Sequence, residues 1–500
     1  MNIFGLKLNW IIGGLLILTF AFLLILRLGI LEEGGVDHMG GRTSHIATQR
    51  DRETWMNIFQ QGAKIGYSHR QFYKTVEGYR ILESVFIQIN MMGMLQDIRF
   101  KTEGNFFHDL TLSSFDFELQ SSLFHFTARG FVKGNVLSLF TGKPGFEQKV
   151  DLPLEKETYL FMGILEALIH EDVKPGDSRT FGVFDPTTGT QRPVKITYLA
   201  EEMIPIMGHQ EKAKKVSVQF MGLPQVAWIR EDGTILKEEG LLGIRLEQVT
   251  KEEALNKLTL SRGADFAEIV SIPANKILQD VSQFKELKLR LDGIEDFDKT
   301  RPRGEIFLEG GRQSLKNKLL TIRIESVSSL ASSMKRERVL PDRKSYLEST
   351  PFIQSDYPEI QAKAKEIVSP DDPAVVKAKK LVRWVNENIQ KRPVLSVPSA
   401  LETLQHRVGD CNEHAVLLAA LARASGIPAQ VEAGLVYQKG RFYYHAWNVL
   451  YLGTWITADS VMGQLPADVT HIRFVRGTER QIDLMRIIGR VRLEILSTSR

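Results

Sequence analysis

Cys411 is the only cysteine among the 500 residues, so any thiol chemistry in this chain must use it. It follows Gly409 and Asp410 and begins a run, ending at Ala424, that is apolar nearly all round and predicts a helix buried in a core. The first turn of a helix carries unpaired N–H groups and the positive end of the helix dipole, which favour a thiolate over a thiol. We therefore predict that Cys411 is a nucleophile with a lowered pKa. An inert core cysteine would be expected inside the apolar run, not at its start.

Two residues further along the chain have the side chains that such a nucleophile needs. His445 lies in the middle of the predicted strand RFYYHAWNVLYL, on the face that also carries Tyr443 and Trp447. An imidazole held there can act as the base for the thiol, and Asp459 can accept a hydrogen bond from its second nitrogen. Taken singly, His445 is equally a core histidine bonded to backbone, and Asp459 is a turn residue.

The loop between two predicted strands decides whether Asp459 reaches His445. A two-residue turn at 453–454 would place Asp459 opposite Asn448, on the wrong face of the sheet. A five-residue loop at 450–454, or a β-bulge, would bring the two side chains to the same face.

The cysteine count also limits metals and other cofactors. One cysteine excludes an internal disulfide framework and any zinc or iron–sulfur site built from several cysteines. His414 lies three residues after Cys411 and makes half of a metal site, but no second pair completes it. We predict no metal and no other cofactor. Because no motif requires calcium, activity should be unchanged in a chelator.

These residues, taken in order, resemble the bacterial transglutaminase-like superfamily. The resemblance covers roughly residues 352–475 and rests on Gly-Asp-Cys opening an Ala/Leu-rich helix that ends in Ser-Gly-Ile-Pro, then His-Ala-Trp on a strand, then Asp459. It implies a papain-like core in which Cys411 is the nucleophile, His445 the general base and acid, and Asp459 the orienting residue. It further implies a thioester intermediate, with the Cys411 backbone N–H in the oxyanion site. Gln405 resembles, by its spacing, the oxyanion glutamine of papain, although a glutamine on a solvated surface is the simpler explanation.

The N-terminus predicts a membrane anchor. Residues 8–26 are almost wholly apolar and would span about 28 Å as a helix, close to the thickness of a bilayer's hydrocarbon core. No small-residue cleavage site follows, which favours an uncleaved anchor over a signal peptide. We expect a single-pass membrane protein with most of the chain on the extracytoplasmic, periplasmic side.

The rest of the chain predicts an α+β protein with β-rich domains ahead of the thiol domain. Short alternating runs of aromatic and β-branched residues are typical of strands, and helical periodicity appears after Pro351. The predicted organisation, in chain order, is an anchor at 1–31, a linker at 32–50, a β-rich domain at 51–250, a helical connection with a smaller β-rich unit at 251–345, a catalytic domain at 346–480 in which the cysteine helix packs on an antiparallel sheet, and a tail at 481–500.

The predicted function is a membrane-anchored thiol enzyme that acts on amide or peptide bonds, either as a peptidase or amidase or as an acyl transferase. The alternative is a non-catalytic binding or scaffold protein that retains the fold. Protein or peptide substrates are the expected partners. Nucleic acid is not expected, because 64 basic and 60 acidic residues are spread along the chain and leave a net charge of only +4. The oligomeric state does not follow from the sequence.

Overall fold

The computed structural model describes residues 50–91, 94–121, 125–141, 147–154, 157–169, 173–186, 189–220, 223–240, 243–256, 265–294, 308–326, 340, 342–392, 399–478, 484 and 488–500. The predicted anchor at 1–31 and the linker up to residue 49 lie outside these residues. Within the described ranges, no helix is both long enough and apolar enough to cross a membrane. The described chain divides into two compact units, one spanning Arg50–Asn90 and Met94–Asn256, the other Asp265–Arg500.

The first unit is built on one fifteen-stranded sheet in which strands consecutive along the chain are neighbours, except β8 and β9, which form its two edges. The first strand pairs antiparallel with the fifteenth, with Trp55 opposite Val249. Alternation of buried and partly exposed side chains, as in Val136–Thr141, is the pattern predicted for a sheet with one face turned to a core. The strands are β1 Arg50–Gln60, β2 Ala63–Lys74, β3 Tyr79–Met91, β4 Met94–Phe106, β5 Leu112–Ser121, β6 His125–Lys133, β7 Val136–Thr141, β8 Gln148–Pro153, β9 Thr158–Tyr159, β10 Ser178–Asp185, β11 Thr190–Ile206, β12 His209–Phe220, β13 Leu223–Ile229, β14 Ile235–Glu239 and β15 Ile244–Val249.

Two helices accompany this sheet in the described residues. Helix α1, Phe161–Ile169, is buried along most of its length, as the helical period of its apolar residues predicts. Helix α2, Lys251–Leu255, begins where the Thr250 hydroxyl accepts a hydrogen bond from the Glu253 N–H. The β-rich character expected for residues 51–250 is therefore present.

The second unit combines helices with two main sheets. Its helices are α3 Phe266–Val270, α4 Pro358–Ile367, α5 Ala374–Asn388, α6 Ala400–His406 and α7 Cys411–Ala424, and a short 3-10 turn covers Val281–Gln283. Its strands are β16 Ile272–Pro273, β17 Glu286–Asp292, β18 Gln313–Lys316, β19 Leu319–Arg323, β20 Gln390–Lys391, β21 Val408–Gly409, β22 Ala429–Gln438, β23 Arg441–Tyr451, β24 Trp455–Ala458, β25 Ile472–Arg476 and β26 Arg492–Ser499.

Helix α7 lies at the centre of this unit. It packs on strands β22 and β23, while helices α4, α5 and α6 cover it from other sides. Every residue from Cys411 to Ala422 is buried, so the all-round apolar sequence of this helix matches its surroundings. Strands β22 and β23 form a hairpin through Lys439 and Gly440, both with positive φ, and belong to a five-stranded sheet. The predicted arrangement, a cysteine-bearing helix on an antiparallel sheet, is present.

The second sheet of this unit has the order β18-β19-β17-β26. Strand β26 lies in the segment 481–500, for which the sequence suggested a tail. It pairs antiparallel with β17 and buries Leu493 and Ile495, because these apolar residues alternate with polar ones along the strand.

Candidate active site

Cys411 is the first residue of helix α7, and a capping box fixes this position. The Asp410 carboxylate accepts a hydrogen bond from the Asn412 N–H at 3.0 Å, and the Asp410 N–H donates to Oε2 of Glu413 at 2.9 Å. This reciprocal pair satisfies N–H groups that a helix start otherwise leaves unpaired. The sequence Asp-Cys-Asn-Glu therefore determines where the helix begins and places the cysteine on its first turn.

The surroundings of the thiol differ from the prediction. Cys411 is fully buried, and its Sγ accepts a hydrogen bond from the backbone N–H of Ala446. Burial, followed by the nearby carboxylate of Asp410, raises the pKa of the Cys411 thiol well above its usual value. The predicted lowering of this pKa is wrong for the structure as it stands, because loss of water around the sulfur outweighs the helix dipole.

His445 and Asp459 lie together in the core of the domain. Nε2 of His445 is 2.7 Å from Oδ2 of Asp459, and both side chains are fully buried. Burial opposes the charge of Asp459, but the charge of His445 and the hydrogen bonds from His445 and His471 hold the pKa of this carboxyl far below its usual value. An ionised carboxylate only accepts, so Nε2 of His445 carries the proton. Its Nδ1 has no hydrogen-bond partner among the described residues.

A three-residue connection brings these two side chains to one face. Tyr451 pairs with Trp455 and Asn448 with Ala458, so continuing the same register places Asp459 beside Trp447, which shares its face with His445. The loop thus has neither the two nor the five residues considered from the sequence. Because the loop has an odd number of residues, Asp459 falls opposite an odd-numbered residue of β23 and so on the same face as His445.

Sequence reasoning missed a second histidine at the site. His471 places Nε2 at 2.9 Å from the same Oδ2 of Asp459, and its Nδ1 is 3.3 Å from Oδ1 of Asp468. Burial disfavours its charge, yet Asp468 and Asp459 together raise the pKa of His471 to about 9. His471 is therefore an imidazolium at neutral pH. The one signal in the sequence was an aspartate, Asp468, three residues before His471. Such a spacing is common in proteins and does not by itself indicate a functional site.

Two other residues considered from the sequence make no hydrogen bond to this group among the described residues. Gln405 is exposed on the last turn of α6, which agrees with the surface alternative rather than with an oxyanion role beside the buried Cys411. His414 is buried on α7, with Nδ1 at 2.6 Å from the carbonyl oxygen of Asp410. Burial lowers the pKa of His414 to about 4, so it is neutral at pH 7.

Comparison with protein families matches residues 361–460 to the model of the transglutaminase-like superfamily. This region is a transglutaminase-like superfamily domain. The resemblance predicted from the cysteine helix and the His-Ala-Trp strand is thus confirmed for the C-terminal part of the chain. The matched range includes Cys411, His445 and Asp459, whereas His471 lies beyond its end.

Two solved structures are similar to parts of the chain. A β-barrel-like protein of a domain of unknown function from Brucella abortus aligns over 40% of this chain and 95% of its own, with 14% identity and a TM-score of 0.32. A candidate cysteine protease from Cytophaga hutchinsonii aligns over 43% of this chain and 86% of its own, with 16% identity and a TM-score of 0.26. A search of curated proteins gave no match.

The transglutaminase-like domain brings together one group of side chains with the spacing of metal ligands, counting only the described residues. The ligand atoms of His445, Asp459 and His471 lie within 4.8 Å of one another. Both imidazole Nε2 atoms, however, point at one carboxylate oxygen at hydrogen-bonding distance, and a protonated His471 has no lone pair for a cation. The geometry is therefore that of two imidazole N–H groups donating to one carboxylate oxygen, and not that of a metal site.

Proposed function

We propose that the transglutaminase-like domain is a thiol enzyme in which Cys411 is the nucleophile, His445 the general base and acid, and Asp459 the orienting residue. The observation that carries the proposal is the state of His445. Its Nε2 is held by Asp459, while its buried Nδ1 has no partner among the described residues. Leaving such an atom unpaired costs about 1–3 kcal/mol, which is expected of a group kept ready to accept a proton.

In the proposed reaction, the proton of the Cys411 thiol passes to Nδ1 of His445 as Sγ attacks the carbonyl carbon of an amide. The C–N bond then breaks, and His445 returns the proton to the leaving amine, which leaves a thioester on Cys411. Water or an amine attacks the thioester and gives its proton to Nδ1; the C–S bond then breaks, and His445 returns the proton to Sγ, which regenerates the thiol. The backbone N–H of Cys411, at the start of helix α7, would stabilise the oxyanion, because the next N–H groups of the helix are bonded to Asp410.

The fully buried position of Cys411 has a consequence for this reaction. A substrate therefore reaches Sγ only after local movement of the residues that cover it. Hydrolysis and acyl transfer share all the steps up to the thioester, and shielding of the thioester from water decides between them. We propose protein or peptide substrates, and a membrane tether at residues 1–31 that places the domain on the extracytoplasmic side.

A second candidate function is a non-catalytic binding module that retains the fold, with its β-rich unit engaging a partner. One specific observation favours it, since burial raises the pKa of the Cys411 thiol well above its usual value. A thiol of that kind is inert near neutral pH. The two candidates therefore differ in one measurable property, the pH at which Cys411 becomes reactive.

The test is alkylation of the full-length chain by iodoacetamide between pH 5 and 10, followed by mass spectrometry. With a single cysteine in the chain, every label reports Cys411. If the thiol donates to His445, we expect the labelling rate to level off near neutral pH. His445→Ala should then lower the rate at pH 7 by about 100-fold, because the thiolate loses its proton acceptor.

The matched control is His414→Asn, which changes another buried histidine close to Cys411, one that is hydrogen-bonded to the Asp410 backbone and not to Asp459 or His445. It should keep the wild-type pH profile. A rate that rises tenfold per pH unit up to pH 9 or above, in wild type and in His445→Ala alike, would support the binding module and exclude the enzyme.

A further inference from the structure

The carboxylate of Asp459 has a second imidazole partner in addition to His445. Nε2 of His471 is 2.9 Å from Oδ2, the oxygen that His445 also contacts at 2.7 Å. We propose that His471 is a positioning residue of this site, which turns the Asp459 carboxylate toward His445 and supplies a positive charge beside it. This inference rests on the proposed function, because it gives His471 a part in activating Cys411.

The hydrogen bonds of Asp459 show why a second imidazole matters. Its Oδ1 accepts the backbone N–H groups of Val461 and Met462 at 2.7 and 3.0 Å, and its Oδ2 accepts from both imidazoles. Each oxygen therefore has two donors, and the carboxylate plane cannot rotate without breaking some of them. Removing His471 takes away one of the two donors that direct Oδ2.

His471 is itself held from a part of the chain that precedes the matched domain. The guanidinium of Arg312, next to strand β18, donates to the carbonyl oxygens of Ala467, Asp468 and His471 at 2.6, 2.7 and 3.0 Å. All of these contacts are buried. Three carbonyl groups gathered on one guanidinium fix the turn that carries His471, so its ring position is set by the fold.

A side chain next to Arg312 extends this support beyond the turn. The side chain of Gln313 bonds both backbone groups of Arg473, with the Arg473 N–H at 2.6 Å from Oε1 and the carbonyl oxygen at 3.1 Å from Nε2. A short segment at 312–313 therefore secures the chain on both sides of Ile472. The backbone around His471 is thus held by Arg312 and Gln313, while its ring contacts Asp459.

The charges around His471 are consistent with this role. Asp459 and Asp468 contact its two nitrogens, and Trp447 meets its ring edge-on with centroids 5.1 Å apart. The His445 ring lies 5.9 Å away, Arg312 contacts the backbone of the turn, and Lys391 interacts with the charge of Asp459. A positive His471 compensates one of two buried carboxylates. Without it, the extra negative charge makes loss of the Cys411 proton harder.

The test uses two substitutions at the same position in the full-length chain. His471→Gln keeps an N–H that can donate to Asp459 but carries no charge, whereas His471→Leu removes both. With iodoacetamide as the probe, we expect His471→Gln to move the labelling midpoint upward by about one pH unit, a loss of about tenfold at pH 7. The labelling rate of His471→Leu should fall further, because the carboxylate also loses one of the two donors that direct Oδ2. His209→Gln, at the exposed first residue of strand β12 in the first unit, is the control and should match wild type.

A second measurement separates failure of this inference from failure of the proposed function. The pKa of about 9 for His471 is above its unfolded value of about 6.5, so the stabilisation is complete below pH 6.5 and is lost as the pH rises through 9. The melting temperature of wild type should therefore fall between pH 7 and 9.5, by about 5 °C more than that of His471→Gln.

Three outcomes are then distinct. An ordinary thiol profile in wild type, together with the expected melting difference, overturns the enzyme and with it the role in activating Cys411, while the charged contact stands. An activated wild type whose profile is unchanged in both His471 variants overturns the positioning role. Equal pH dependence of melting in wild type and His471→Gln overturns the positive charge.

Discussion

Asp459→Asn is expected to lower the rate of Cys411 alkylation at pH 7 by about 10³-fold or more. Oδ1 of Asp459 accepts two backbone N–H groups, so the amide oxygen of an asparagine will take that side. Its NH₂ group then faces His445 and donates to Nε2, which moves the imidazole proton to Nδ1 and removes the base. The equivalent change in a serine protease triad costs about 10⁴ in kcat by the same change of tautomer.

The matched control is Asp371→Asn, an exposed aspartate between α4 and α5, which should react like wild type. The measurement is the iodoacetamide profile, with circular dichroism to show that each variant is folded. A folded Asp459→Asn chain that reacts within threefold of wild type across pH 5 to 10 would show that Asp459 does not orient His445.

The second large effect is on stability and concerns Glu432. This residue is almost fully buried, and Oε1 accepts from Arg476 Nε at 2.8 Å and from Arg473 Nη1 at 3.3 Å, while Oε2 accepts from Trp447 Nε1 at 3.0 Å. Despite burial, the two arginines lower the pKa of Glu432, so it is ionised. Glu432→Ala leaves two guanidinium groups without their counterion, and we expect a loss of about 3–5 kcal/mol in the free energy of unfolding.

Hydrogen–deuterium exchange of the peptides from strands β22 and β23 measures this loss locally. Glu494→Ala is the control, because its pair with Arg290 at 3.1 Å is about half exposed and should be worth at most about 1 kcal/mol. The loss of protection in Glu432→Gln should lie between the losses in Glu432→Ala and Glu494→Ala, since glutamine keeps an acceptor for Trp447. Equal protection in Glu432→Ala and Glu494→Ala would mean that the buried pair adds no net stability.

The parts of the site predicted from sequence are those fixed by local signals. The pair Asp410 and Glu413 defines the start of a helix wherever it occurs, and so fixes the position of Cys411. Alternation along strand β23 then places His445 on one face with Trp447. Both signals depend on residues only a few positions apart, which sequence patterns record well.

The remaining features depend on contacts between residues distant in sequence. Burial of Cys411 comes from neighbours in the folded domain, and therefore the direction of its pKa could not follow from its place on a helix. The turn containing His471 is fixed by Arg312, more than a hundred residues earlier, at positions with no motif. Loop length between β23 and β24 was equally undetermined, because the residues there suit several turns.

The pairing of β1 with β15 has a consequence for how the chain is made and folds. Strand β1 is synthesised first among the strands of its sheet, yet its partner on that side is synthesised last, after all the intervening strands. The same holds for β17, Glu286–Asp292, whose neighbour β26, Arg492–Ser499, is synthesised last among the strands of its sheet. Contacts so far apart in sequence slow folding, and neither sheet is complete until its last strand has left the ribosome. Chains that stop early will therefore expose unpaired strand edges, and trimming the last ten residues is expected to cause aggregation.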